Sequence, residues 1–121
     1  MTATGRRTPA QASGGAAEEA AANFLSRKGL EIVARNYRTR MGEIDLVARD
    51  GTTLVFVEVR MRSGDAFGGA LASVDARKQR RLVAAARQFL SRLGSEPPCR
   101  FDVVTVQGGA PQWLRAAFEV A

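Results

Sequence analysis

Gly42-Glu43-Ile44-Asp45-Leu46-Val47-Ala48-Arg49-Asp50-Gly51-Thr52-Thr53-Leu54-Val55-Phe56-Val57-Glu58-Val59-Arg60 is the stretch on which the fold turns. Two apolar runs rich in β-branched residues, read as strands over 42–49 and 53–60, flank Asp50-Gly51. That dipeptide suits a tight hairpin, whose central residues adopt backbone angles that Gly and Asp tolerate. The two strands are therefore expected to be antiparallel neighbours. Side chains alternate faces along a strand. Val55, Val57 and Val59 then share one face and Leu54, Phe56, Glu58 and Arg60 the other, while Glu43, Asp45 and Val47 oppose Ile44, Leu46 and Ala48. With the turn fixed, Asp45 and Glu58 fall at comparable depth and can project to the same side. Each interrupts an apolar run, where an unpaired charge is costly. Two carboxylates held close repel unless a cation sits between them.

Working outward, residues 16–28 read as a helix. They are Ala-rich, with Glu18-Glu19 in the expected first turn, Arg27-Lys28 in the last and Gly29 as the stop, as helix propensity, the helix dipole and capping favour. Ala21, Phe24, Leu25 and the stem of Lys28 form its expected buried stripe. Residues 31–38 read as a first strand. A second helix is expected over 75–93, capped by Asp75, with Leu82, Ala86, Phe89, Leu90 and Leu93 at core spacing. Residues 63–73 read as a loop, 100–106 as a fourth strand and 113–120 as a last one. The order α-β-β-β-α-β-β implies an α/β domain, a mixed β-sheet flanked by helices, with a parallel crossover from the third strand to the fourth. Residues 1–14 read as a disordered basic tail and 15–121 as one domain.

Composition narrows the chemistry. Net charge is +6, which favours anionic partners, nucleic acid foremost; Arg-rich genome composition is the plainer source of such a charge. There is no histidine and one cysteine, Cys99, so a Ser-His-Asp triad, a His general base, a structural zinc site and an internal disulfide are all excluded. No apolar stretch approaches a membrane span, and no apolar segment follows Arg6-Arg7 as in a secretory signal, so the expected setting is the cytoplasm without membrane association.

Two readings fit the acidic pair. Mg²⁺ and similar hard cations bind through one or two carboxylates, completed by waters and substrate phosphates. Such an ion lowers the pKa of a bound water and stabilises charge on a phosphoryl oxygen, with Arg60 placed to assist the phosphate. Alternatively the carboxylates are ordinary sheet residues neutralised by Arg60, Arg62 or Arg38. Arg35, Arg38 and Arg40 flank the hairpin, Arg60 and Arg62 extend it, and Arg77, Lys78, Arg80 and Arg81 open the second helix. If they converge they make a phosphate-binding stripe. Tyr37 and Trp113 suit core packing better than base stacking.

The run from Gly42 to Leu46, followed by Phe56-Val57-Glu58-Val59-Arg60-Met61-Arg62, resembles the signature of the bacterial YraN family, an uncharacterised family. Further matching pieces are Glu18-Glu19-Ala20-Ala21 with Phe24-Leu25 and Gly29, Arg35-Asn36-Tyr37-Arg38, Phe67-Gly68, Lys78-Gln79 with Arg81-Leu82, Arg100-Phe101-Asp102-Val103-Val104, and Ala117-Phe118. That family is similar to archaeal Holliday-junction resolvases and to PD-(D/E)xK nucleases, so the resemblance implies a restriction-endonuclease-like fold and a metal-dependent endonuclease acting on DNA, branched or structured DNA included. It implies Asp45 and Glu58 as catalytic metal ligands for Mg²⁺ or Mn²⁺, the Val59 carbonyl as a third ligand, and Glu18 as an acid approaching the metal from the first helix. The alternative for Glu18 is a helix-dipole partner. Arg35, Arg38, Arg40, Arg62, Lys78 and Arg81 are the expected nucleic-acid contacts. Arg60 departs from the family's usual Lys: it keeps the positive charge but cannot accept a proton at neutral pH. Lys78 is a candidate substitute for the missing amine, the alternative being an ordinary exposed helix residue. A catalytically inactive nucleic-acid-binding module on the same fold is therefore the second expectation. A homodimer would be needed for junction resolution.

Overall fold

The computed structural model describes residues 9–61, 74–107 and 110–119, with side chains from residue 15 onward. The elements in order are α1 (Pro9–Arg27), β1 (Glu31–Arg38), β2 (Glu43–Asp50), β3 (Thr53–Met61), α2 (Ala76–Leu93), β4 (Cys99–Gln107) and β5 (Ala110–Phe118). The strands form one sheet in the order β1-β2-β3-β4-β5. All neighbours are antiparallel except β3 and β4, which run parallel across the α2 crossover. The architecture is the expected α/β one, a mixed sheet with helices. Arg62, Phe67-Gly68 and the whole of the loop expected over 63–73 lie outside the described residues.

β3 occupies the middle, and Leu54 through Glu58 are all buried. A strand covered on both faces must be apolar almost throughout. Val55, Val57 and the half-buried Val59 pack with Ala17, Ala21, Ala22 and Leu25 of α1, together with Leu46, Ala48, Val104 and Val106. Leu54 and Phe56 pack with Leu82, Ala85 and Ala86 of α2, together with Ile44, Val47, Phe101 and Val103. The two helices thus cover opposite faces. Each fully buried Val or Leu contributes about 1.5–3 kcal/mol by leaving water, so both layers are needed to hold the sheet.

The Asp50-Gly51 hairpin forms as expected, with Asp50 opposite Thr53 and Gly51 at φ 63°. Asp75 caps α2, its carboxylate accepting from the Lys78 N–H at 2.9 Å, and Gly94 closes that helix at φ 76°. Two expectations need correction. α1 begins at Pro9, so residues 9–14 are helical and not tail; proline suits a first helical position, where its missing N–H is no loss. Glu18 and Glu19 therefore lie mid-helix, and no acid occupies the first turn of α1. Leu93, expected in the core, is 42% exposed at the last turn of α2. Tyr37 and Trp113 do pack inward: Tyr37 meets Phe89 edge-on, and Trp113 meets Phe24.

At the far edge, buried Asp102 joins β4 to β5. It accepts from the Trp113 indole N–H and the Ala116 N–H, both at 2.9 Å, and from Arg100 Nε at 3.1 Å. Ala116 has φ 50°, and the β4–β5 register shifts between Phe101 and Val103, so the carboxylate holds an irregularity in the edge strand.

The Thr39–Gly42 turn between β1 and β2 seats directly on α2. A Cβ at Gly42 would run into the backbone of Arg81. Gly42→Ala is therefore expected to push helix and turn apart and destabilise the fold by about 1–3 kcal/mol, the usual cost of overpacking. A chemical-denaturation midpoint unchanged from wild type would contradict this seat.

Candidate active site

The β2–β3 ladder runs from Asp50–Thr53 to Leu46–Val57. Beyond it the Asp45 carboxylate reaches across, and Oδ2 accepts the Val59 N–H at 2.8 Å. The regular alternation expected for β2 fails here. Ile44 packs on the α2 side whereas Leu46 packs on the α1 side, although two residues apart they should share a face. The break is matched in β1: Asn36, between Arg35 (opposite Leu46) and Tyr37 (opposite Ile44), has φ 52°. Asn is among the few non-glycine residues that tolerate this left-handed geometry. The strands splay, and a cavity of about 330 Å³ opens at that end of the sheet.

Its lining comes from both helices and both central strands: Glu18 from α1, Glu43 and Asp45 from β2, Glu58, Val59 and Arg60 from β3, and Lys78 and Arg81 from α2. The expected site residues Glu18, Asp45, Glu58, Val59, Arg60, Lys78 and Arg81 therefore meet in one pocket. Glu58 is 5% exposed. Its Oε2 lies 3.3 Å from Arg60 Nε and 3.8 Å from Lys78 Nζ. Arg35 is instead paired with Glu19 on α1 at 2.6 Å, and Arg38 with Glu43 at 3.6 Å. Arg40 is exposed on the neighbouring turn.

Burial, and then the charge of Asp45, raise both Glu18 and Glu58 to about 7. Asn36 and Arg38 oppose the rise at Glu18; Arg60 and Lys78 oppose it at Glu58. Asp45 is itself raised by burial, against the lowering effect of the Val59 N–H and hydrogen bonds from Glu58 and Glu18. Asp45 thus stands between two outer acids. Among the described residues no ready-made group of three His, Cys, Asp or Glu ligands is found. The donor set is one that Mg²⁺ accepts, since that ion takes one or two carboxylates and completes its shell with water and phosphate.

Sequence reasoning missed Asn36, whose left-handed backbone breaks β1 and whose side chain opposes the rise at Glu18. The signal was available: Asn is disfavoured within a strand. It also gave Gly42 no role. The described residues contain no helix long and apolar enough to cross a membrane.

Fold and pocket together define a small α/β protein with an acid cluster and a basic rim at the open end of a mixed sheet. Residues 17–106 match the profile of Uncharacterised protein family UPF0102, the YraN family. A UPF0102 protein of Paracidovorax citrulli is 57% identical, the match covering 94% of this chain and 87% of the relative. One from Cupriavidus pinatubonensis is 55% identical over 94% of this chain and 91% of the relative. One from Verminephrobacter eiseniae is 59% identical over 88% and 77%. The chain belongs to this family.

The acid cluster makes stability depend on pH. A carboxyl group whose folded pKa lies above its unfolded value binds more protons in the folded state, so stability falls as pH rises between the two. For Glu18 and Glu58 that window runs from 4.5 to about 7. The metal-free protein is expected to show a falling Tm across this window, with a shallower fall in Glu58→Gln. Identical slopes for the two proteins would contradict the assignment.

Proposed function

We propose that this protein is a metal-dependent phosphodiester hydrolase acting on nucleic acid, with Mg²⁺ or Mn²⁺ as cofactor and branched or structured DNA as the substrate class the family resemblance implies. The observation that carries the reading is the meeting of Asp45 and Glu58 in one pocket rimmed by Arg60, Lys78 and Arg81. Asp45, Glu58 and the Val59 carbonyl would hold the ion, which when bound supplies an acidified water and charge stabilisation at the phosphoryl oxygens. The Val59 N–H fixes the orientation of Asp45. Arg60 and Lys78 lie against Glu58, and both would contact a phosphate entering the pocket. Arg60 stays charged throughout and acts by electrostatics, not as a proton acceptor. Arg40 and Arg81 would extend the phosphate contacts beyond the pocket, and Arg62 is a further candidate from the sequence. Such a protein would work in the cytoplasm, and as a homodimer if it resolves junctions.

A second reading has its own observation. Glu58 already has two cationic neighbours, and by the family resemblance Arg60 stands where a Lys is usual in the E-x-K element. A nucleic-acid-binding module without catalysis satisfies the same geometry.

One experiment separates them. Purified protein is incubated with junction, flap and linear DNA in Mg²⁺ or Mn²⁺. Cleavage is expected, reduced about a hundredfold or more in Asp45→Asn and in Glu58→Gln, the scale of losing one preorganised electrostatic group. Cleavage that persists in the double variant would reject the hydrolase. Junction binding without cleavage, not restored by Arg60→Lys, would establish the binding module.

A further inference from the structure

The Thr39–Gly42 turn lies at the same end of the sheet as the acid pocket, where β1 and β2 join. Three features set it apart from an ordinary surface turn. It is braced: the Thr39 N–H and Oγ1 both donate to the Gly42 carbonyl, at 2.8 and 2.9 Å, and Oγ1 accepts from the N–H groups of Met41 and Gly42, each at 3.0 Å. It is anchored, because Gly42 rests against the backbone of Arg81, a pocket-lining residue. At its tip it presents Met41, 65% exposed, with the exposed Arg38 and Arg40 just before it in the chain. A lone exposed apolar side chain is ordinary by itself. Here a braced turn holds it out among cations beside a pocket read as a phosphodiester site.

Methionine's flexible, polarizable thioether makes favourable contacts with aromatic rings, and nucleobases offer such rings. Apolar side chains, Met included, are used as wedges between base steps, at a cost of a few kcal/mol in lost stacking. That cost is smallest where a base is already unpaired. Among the described residues, Tyr37 packs on Phe89 and the Trp113 N–H is bonded to Asp102, so neither ring is free to meet a base.

We propose that the Thr39–Gly42 turn is a wedge that inserts Met41 into a break in base stacking, while Arg40 contacts the flanking phosphates. The inference rests on the reading that this face binds nucleic acid. It makes Met41 a determinant of substrate shape, favouring branch points over continuous duplex.

The test uses the full chain, EDTA, low salt, and a DNA junction carrying 2-aminopurine at the branch. Wild type is expected to raise the probe's fluorescence several-fold on binding, reporting an unstacked base. Met41→Ala should bind within a few-fold of wild type with the same salt slope but lose the rise, and Met41→Leu should keep it. Arg40→Ala should weaken binding and lower the salt slope by about 1. A full fluorescence rise in Met41→Ala, or wild-type binding with no rise, would overturn the wedge alone. No junction binding by wild type at low salt would remove both the wedge and the nucleic-acid reading beneath it.

Discussion

A single hydrogen bond, from the Val59 N–H to the Asp45 carboxylate, marks where regular pairing between β2 and β3 ends and the pocket opens. Up to Leu46–Val57 the two central strands pair in regular register. Beyond that pair a side chain takes the place of the β2 backbone as acceptor for β3. That satisfies a donor otherwise stranded in the interior, and unsatisfied buried donors are costly. It also gives the half-buried Asp45 carboxylate one firm partner. The strands part there, and both helices reach the opening: α1 with Glu18, α2 with Lys78 and Arg81.

The rest of the pocket follows from charge. Burial, and then the charge of Asp45, raise the proton affinity of Glu18 and of Glu58. Arg60 and Lys78 offset part of that crowding at Glu58 without abolishing it. Such an arrangement is poor as structural scaffolding, because apolar side chains of similar volume would pack at less electrostatic cost. The proposed function gives the arrangement a use, with a cation among the acids and an anion on the basic rim.

Much of this was legible in the sequence, for physical reasons. Asp50-Gly51 fixed the hairpin because few residues tolerate the turn geometry, and that alone brought Asp45 and Glu58 to the same depth. Asp75 announced the start of α2 by its capping chemistry. The alternating pattern sorted the buried part of β3 correctly, since β3 is regular there. It failed in β2, where the backbone breaks step at Asp45 opposite the left-handed Asn36; no period-two rule contains such a break. The start of α1 was misplaced because Gly14-Gly15 weaken any helix reading upstream of Ala16, while the structure carries the helix back to Pro9. The roles of Gly42 and Asp102 depend on contacts with distant elements, Arg81 and Trp113, which no local pattern reveals.

Membership of UPF0102 sets a family context without assigning an activity, so the central claim rests on the acids. Calorimetric titration of the metal-free protein with Mn²⁺ near pH 7, in buffers of different ionisation enthalpy, tests it most directly. Binding of an ion with release of protons, lost in Asp45→Asn and Glu58→Gln, is the expected result, because the ion must displace protons that the crowded carboxyls hold. Absence of binding, or binding unchanged in both variants, would contradict it.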